Sequence, residues 1–73
     1  MTFVTVNDQV TAKVEVNLRL LPTTDYGEVY ATLNNTKYLT RTGINEAIGW
    51  SRLMYTDGTT VYAVSNKINT QGQ

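Results

Sequence analysis

Val10-Thr11-Ala12-Lys13-Val14-Glu15-Val16 alternates apolar and polar residues with period two. Side chains of an extended chain point to opposite faces in turn, so the pattern predicts a half-buried strand with Val10, Ala12, Val14 and Val16 on one face. Downstream, Leu20-Leu21-Pro22-Thr23-Thr24-Asp25-Tyr26-Gly27 breaks the alternation with Pro, Asp and Gly and predicts a long, ordered loop. Val29, Ala31 and Leu33 then alternate with Tyr30 and Thr32, which places Tyr30 outward on a second strand ending at Asn34-Asn35. Tyr38 to Arg41 reads as a third strand, Gly43 to Gly49 as a loop bounded by glycines, and Trp50 to Tyr55 as a fourth strand.

Asp57-Gly58 is the best hairpin signal in the chain. A two-residue type I′ link there would set Thr56 opposite Thr59, Tyr55 opposite Thr60 and Leu53 opposite Tyr62. Ser65-Asn66-Lys67 predicts a single 3₁₀ turn before the last apolar residue, Ile68. Short strands, regular turn signals and no helical period imply an all-β fold, a small five-stranded antiparallel barrel over residues 10–68. Residues 1–9 and 69–73 carry no such pattern and read as tails.

Seventy-three residues make one domain at most, near the lower limit of what a hydrophobic core alone stabilises. The chain has no Cys and no His, which removes disulfides, thiolates and imidazole ligands. Six basic and six acidic residues cancel and neither sign is clustered, which argues against nucleic acid and anionic membranes as partners. The opening residues lack the basic and apolar regions of a signal peptide, and no apolar run approaches the roughly 18 residues of a membrane span. Catalysis needs a nucleophile with a base, a carboxylate pair or a metal site, and no spacing here supplies one. Ser51 and Ser65 have no His to activate them. The reading is therefore of a non-enzyme with no cofactor and no metal.

In chain order, Asn17-Leu18-Arg19, Pro22-Thr23, Val29-Tyr30-Ala31-Thr32-Leu33, Gly49-Trp50, Asp57-Gly58 and Ser65-Asn66-Lys67-Ile68 form a series of landmarks. In that order they resemble the bacterial Src-homology-3-like domain, and the match runs from about Val10 to Ile68. Thr36 stands where that family usually has Gly, and Val61-Tyr62 where Gly-Trp is common. The resemblance implies an SH3-like barrel with one long loop and a short 3₁₀ turn before the last strand. It further implies a ligand, bacterial cell-wall peptide or glycan, and a place in a larger protein, a cell-wall hydrolase or phage lysin acting outside the cell or at the wall. Proline-peptide recognition does not follow, because the aromatic and Pro that the eukaryotic relatives use are missing around Val64-Ser65-Asn66-Lys67.

Five Tyr and one Trp in so short a chain are the main hint of a binding surface, since flat rings bury much area at low rotamer cost. The candidate ligand contacts are Asn17, Thr24, Tyr26, Trp50 and Tyr62, around a shallow groove between the long loop and the strand starting at Trp50. Trp50 is expected half-buried with one edge on that groove. Arg19 is expected to tie down the long loop. Asn34-Asn35-Thr36 matches a glycosylation acceptor only formally. The alternative function is structural: a protein-protein assembly module of a phage particle or secreted multidomain protein, self-association included.

Overall fold

The computed structural model describes residues 3–70. They form seven strands, β1 (Val4–Ala12), β2 (Glu15–Arg19), β3 (Val29–Asn34), β4 (Leu39–Asn45), β5 (Trp50–Met54), β6 (Thr60–Val64) and β7 (Ile68–Thr70). A 3₁₀ turn over Ser65–Lys67 leads into β7. All pairings are antiparallel, in one sheet of order β3-β2-β6-β5-β4-β1-β7 that is not closed. The all-β expectation holds; the count of strands is seven, against the five expected.

Segments expected to be tails lengthen β1 and supply most of β7. Val4 to Gln9 belong to β1, where Val4 pairs with Ile44 and Gln9 with Thr40, and Asn69 and Thr70 belong to β7. Residues 71–73 and Met1-Thr2 lie outside the described residues. A bidentate ion pair fastens this half of β1: Arg41 donates from Nε to Asp8 Oδ1 at 2.9 Å and from Nη2 to Oδ2 at 2.5 Å. Parallel forked bonds to a carboxylate are the strong form of such pairs, and this one sits where both strands slip register.

The strand expected over Val10–Val16 is two strands meeting at a corner. β1 pairs with β4 and β7, whereas β2 pairs with β3 and β6, so the chain must turn between them. The turn falls at Lys13-Val14, where the Lys13 amide donates to the Lys67 carbonyl at 2.9 Å. Val14 therefore leaves the row and is 76% exposed, while Val10, Ala12 and Val16 stay buried. The core takes up Val10 and Ala12 from β1, Val16 and Leu18 from β2, Leu33 from β3, Leu39 from β4, Leu53 from β5, Val61 and Ala63 from β6 and Ile68 from β7. A sheet that sends one side chain or more from every strand into one cluster must curl around it. Burying each Val or Leu there contributes about 1.5–3 kcal/mol.

The β5–β6 hairpin forms at Asp57-Gly58, but its register differs by one residue from the type I′ expectation. That turn needs positive φ at both central residues, and only Gly58 adopts it, at +87°. The chain instead makes a wider loop, with Gly58 N donating to Tyr55 O at 2.9 Å and Tyr55 N to Thr59 O at 2.8 Å. Leu53 thus faces Val61, and both are fully buried, while Tyr62 faces Arg52. A one-residue slip moves every side chain to the other face, so the burial of Leu53 with Val61 favours the observed register.

Candidate functional site

The loop between β2 and β3 is the most elaborated connection in the molecule. Thr23 N donates to Leu21 O at 2.8 Å, Gly27 N to Thr23 O at 3.1 Å and Leu20 N to Glu28 O at 2.9 Å. Asp25 N donates to the Thr23 hydroxyl at 3.1 Å, a side-chain cap that stabilises the turn. Arg19, at the end of β2, reaches back and donates from Nη1 to the Gly27 carbonyl at 2.8 Å, so it ties down the loop as expected of it. On this frame Tyr26 stands 81% exposed, Thr24 is exposed beside it, and Leu20 and Leu21 are exposed apolar neighbours. The ring is held out by ordered backbone and shields nothing of the core.

Of the five candidate contacts, Trp50 is misplaced by the sequence reading. Its side chain is 8% exposed, not half-open to a groove. The cause is position: Trp50 starts β5 between two paired neighbours, opposite Asn45 of β4 and Val64 of β6. Tyr62 is also covered in part. The Phe3 ring lies 5.5 Å from it at 50°, and the Arg52 guanidinium stands 5.6 Å from the Phe3 ring centre. Arg52 is itself held by Thr42, donating from Nε to the hydroxyl at 3.0 Å and from Nη2 to the carbonyl at 2.9 Å. Asn17 is exposed on β2, and its Oδ1 accepts a long bond of 3.5 Å from Thr32. No hydrogen bond or ring contact among the described residues joins Trp50 to Tyr26, Thr24 or Asn17.

Phe3, and with it the role of Arg52 beside its ring, went unrecognised in the sequence because residues 1–9 read as tail. The alternation of Val4 and Val6 with Thr5 is the signal that would have placed a strand immediately after Phe3. The expected loop from Gly43 to Gly49 shrinks likewise: Gly43 to Asn45 complete β4, and only residues 46–49 turn. Asn45, buried, caps that turn by accepting from Ala47 N at 3.1 Å, and its carbonyl accepts from Gly49 N at 2.9 Å. Ser51 and Ser65 hydrogen-bond each other at 2.7 Å and anchor the 3₁₀ turn to β5.

Parity on β3 set Val29 inward and Tyr30 outward; Tyr30 is exposed as expected, but a bulge at that position leaves Val29 exposed as well. Leu18 pairs with Ala31 and Arg19 with Val29, which leaves Tyr30 as the unpaired extra residue. Its ring turns edge-on to Tyr55, centroids 5.5 Å apart, and its hydroxyl donates to Asp57 Oδ2 at the hairpin tip. Asp57 Oδ1 also accepts from Thr59 N at 2.9 Å. The Tyr30 hydroxyl first, then the Thr59 amide and hydroxyl, hold the Asp57 carboxyl below its ordinary value of 3.8. A carboxyl depressed on folding adds stability above its unfolded pKa and loses it as pH falls through the lower, folded value. In carboxyl-detected NMR, Asp57 should titrate below an ordinary Asp, and Tyr30→Phe should bring it back up. An unchanged titration in the variant would refute the pin.

Two shallow hollows lie elsewhere. One, of about 300 Å³, is lined by Val4, Val6, Ile44, Asn45 and Glu46, and another, of about 210 Å³, by Lys13, Val14, Glu15, Asn66 and Lys67. Neither touches any of the five candidate contacts. Among the described residues no group of three or more Asp or Glu side chains gathers to hold a metal ion, and no helix is long and apolar enough to cross a membrane. Comparison with protein-family models, with curated proteins and with solved structures found no match.

Proposed function

We propose that the chain is a non-catalytic binding module with an SH3-like, five-stranded barrel plan, and that the loop between β2 and β3 is its contact surface. Support for the plan comes from the continuous run β7-β1-β4-β5-β6, from the long loop carried on the β2–β3 hairpin, and from the 3₁₀ turn immediately before the last strand. The observation that carries the binding reading is Tyr26, a fully presented ring on a loop whose backbone is already ordered. A preordered aromatic gives up little conformational entropy when it docks, which is how a small surface reaches useful affinity.

The ligand proposed is bacterial cell-wall peptide or glycan, and the module's role is to target a larger wall hydrolase or phage lysin to its substrate outside the cell. Tyr26, Thr24 and Asn17 supply a flat ring, a hydroxyl and an amide, groups that suit sugars and peptide backbone better than polyanions. Trp50 has no part in this surface. The test is co-sedimentation with purified peptidoglycan. Wild-type protein should sediment with it, and Tyr26→Ala should weaken binding by more than about tenfold, as an anchor residue does. Stability should stay within about 0.5 kcal/mol of wild type, because an exposed loop ring supports no packing. If the folded wild type stays in the supernatant, the ligand is wrong; if Tyr26→Ala binds as well, the loop is.

A further inference from the structure

Gly43, Arg52, Tyr62 and Arg19 pair in turn across β4, β5, β6 and β2 and so form one row across the sheet. Side chains directly opposite on paired strands stand side by side. Gly43 leaves a gap in the row, and the Arg52 guanidinium lies in it: a Cβ on Gly43 would stand 2.9 Å from Nη2, 3.0 Å from Cζ and 3.1 Å from the Phe3 Cβ. Phe3 packs over the same gap, its ring against that of Tyr62 and beside the guanidinium. Packing therefore holds Arg52 in place together with its bonds to Thr42.

Those bonds use one side of the fork. Nε and Nη2 both donate to Thr42, which leaves Nη1 and the second hydrogen of Nη2, the end-on pair of donors, without an acceptor among the described residues. The Tyr62 hydroxyl makes no hydrogen bond there either, and since no buried side-chain nitrogen or oxygen lacks a partner, both groups face solvent. Charge is unbalanced at the same place. The ion pair found among the described residues joins Arg41 to Asp8, so neither Arg52 nor Arg19, which flank Tyr62, meets a carboxylate, and Arg19 bonds the Gly27 carbonyl. A guanidinium held still with two parallel donors open is preorganised for a planar anion.

We propose that the Arg52–Tyr62 surface binds a carboxylate carried on an apolar group, the chemistry shared by a peptide C terminus and a free organic acid. Arg52 takes the two carboxylate oxygens end-on through Nη1 and Nη2, the Tyr62 hydroxyl donates to one of them, and the rings of Phe3 and Tyr62 lie against the apolar body. The planar fork matches a carboxylate's two oxygens, whereas a phosphate has more oxygens than this surface has donors. The surface is distinct from the Tyr26 loop tip, and the proposal stands whether or not the chain binds cell wall.

NMR of the whole chain tests it, because the Arg52 Nε–H, held on the Thr42 hydroxyl, gives its own signal. Titration with benzoate and with N-acetylalanine should move that signal to saturation, with Kd on the order of millimolar for so small a contact. Benzamide and N-acetylalaninamide, alike in shape but uncharged, should leave it in place. Tighter binding of N-acetylalanine assigns the surface to a peptide end, and tighter binding of benzoate to a free acid. Arg52→Lys keeps the charge but loses the fork and should weaken binding about tenfold, read from the Tyr62 ring signals. Tyr62→Phe keeps the ring against Phe3 and should weaken it about threefold. Circular dichroism checks that each variant folds, and if Arg52→Lys does not, the wild-type comparison of acids with amides still decides. An Arg52 signal that stays put with both acids, or moves as far with the amides, overturns the proposal. So do folded variants that bind like wild type, or inorganic phosphate that binds more tightly than either acid.

Discussion

Trp50→Ala should destabilise the protein by about 3–5 kcal/mol, the usual cost of truncating a buried Trp. A chain of this length has roughly 4–11 kcal/mol in all, at 0.05–0.15 kcal/mol per residue, so the change removes much or all of it. The argument is the ring's enclosure at the head of β5, with Asn45 on one side and Val64 on the other. Urea denaturation measures it directly. Loss of ligand binding in this variant would report unfolding and say nothing of a contact, so Trp50 and Tyr26 make a discriminating pair. A loss below about 1 kcal/mol, the scale of surface changes, would mean that the ring is not packed as described.

Gly27→Ala should dismantle the long loop. A Cβ there would stand 2.6 Å from the Leu21 carbonyl oxygen, nearer still to that of Thr23, and 3.2 Å from the Arg19 Cβ. Both carbonyls belong to the backbone that shapes the loop, so no side-chain rotation relieves the clash. The loop must open, and Gly27 N then loses Thr23 O while Arg19 loses the Gly27 carbonyl. Leaving a half-buried guanidinium and an amide without acceptors costs about 1–3 kcal/mol for each group. We expect a stability loss of about 2–3 kcal/mol, faster amide exchange from Leu20 to Glu28, and loss of whatever binding depends on Tyr26. If Gly27→Ala exchanged faster than wild type from Leu20 to Glu28 yet bound normally, loop order would be irrelevant to binding; exchange like wild type would mean that the loop accommodates the Cβ.

Period-two alternation was legible where a strand keeps one buried face without a turn or bulge, as in Val10 with Ala12 and in Ala31 with Leu33. It failed where the chain turns or bulges, because those events are set by partners distant in sequence. Val14 continues the pattern on paper and yet points to solvent, since β1 and β2 answer to different neighbours. Tyr30 obeys parity, but the bulge there turns Val29, expected inward, out to solvent. The Asp57-Gly58 turn was visible but its width was not, because only the burial of Leu53 against Val61 selects the register. For the candidate site, the loop and Tyr26 were readable from Pro, Asp and Gly. The burial of Trp50 was not, because it depends on which strands flank it.

Pairing of β1 with β7 joins the first strand to the last, Val10 to Thr70 and Ala12 to Ile68. During synthesis, therefore, a nascent chain leaving the ribosome holds one side of Val10–Ala12 bare until Ile68 to Thr70 have been made. Such late, distant closure is the costliest kind of contact to form and slows folding relative to local pairing. Premature termination before Ile68 would release a product with a gap in its core, marked for proteolysis.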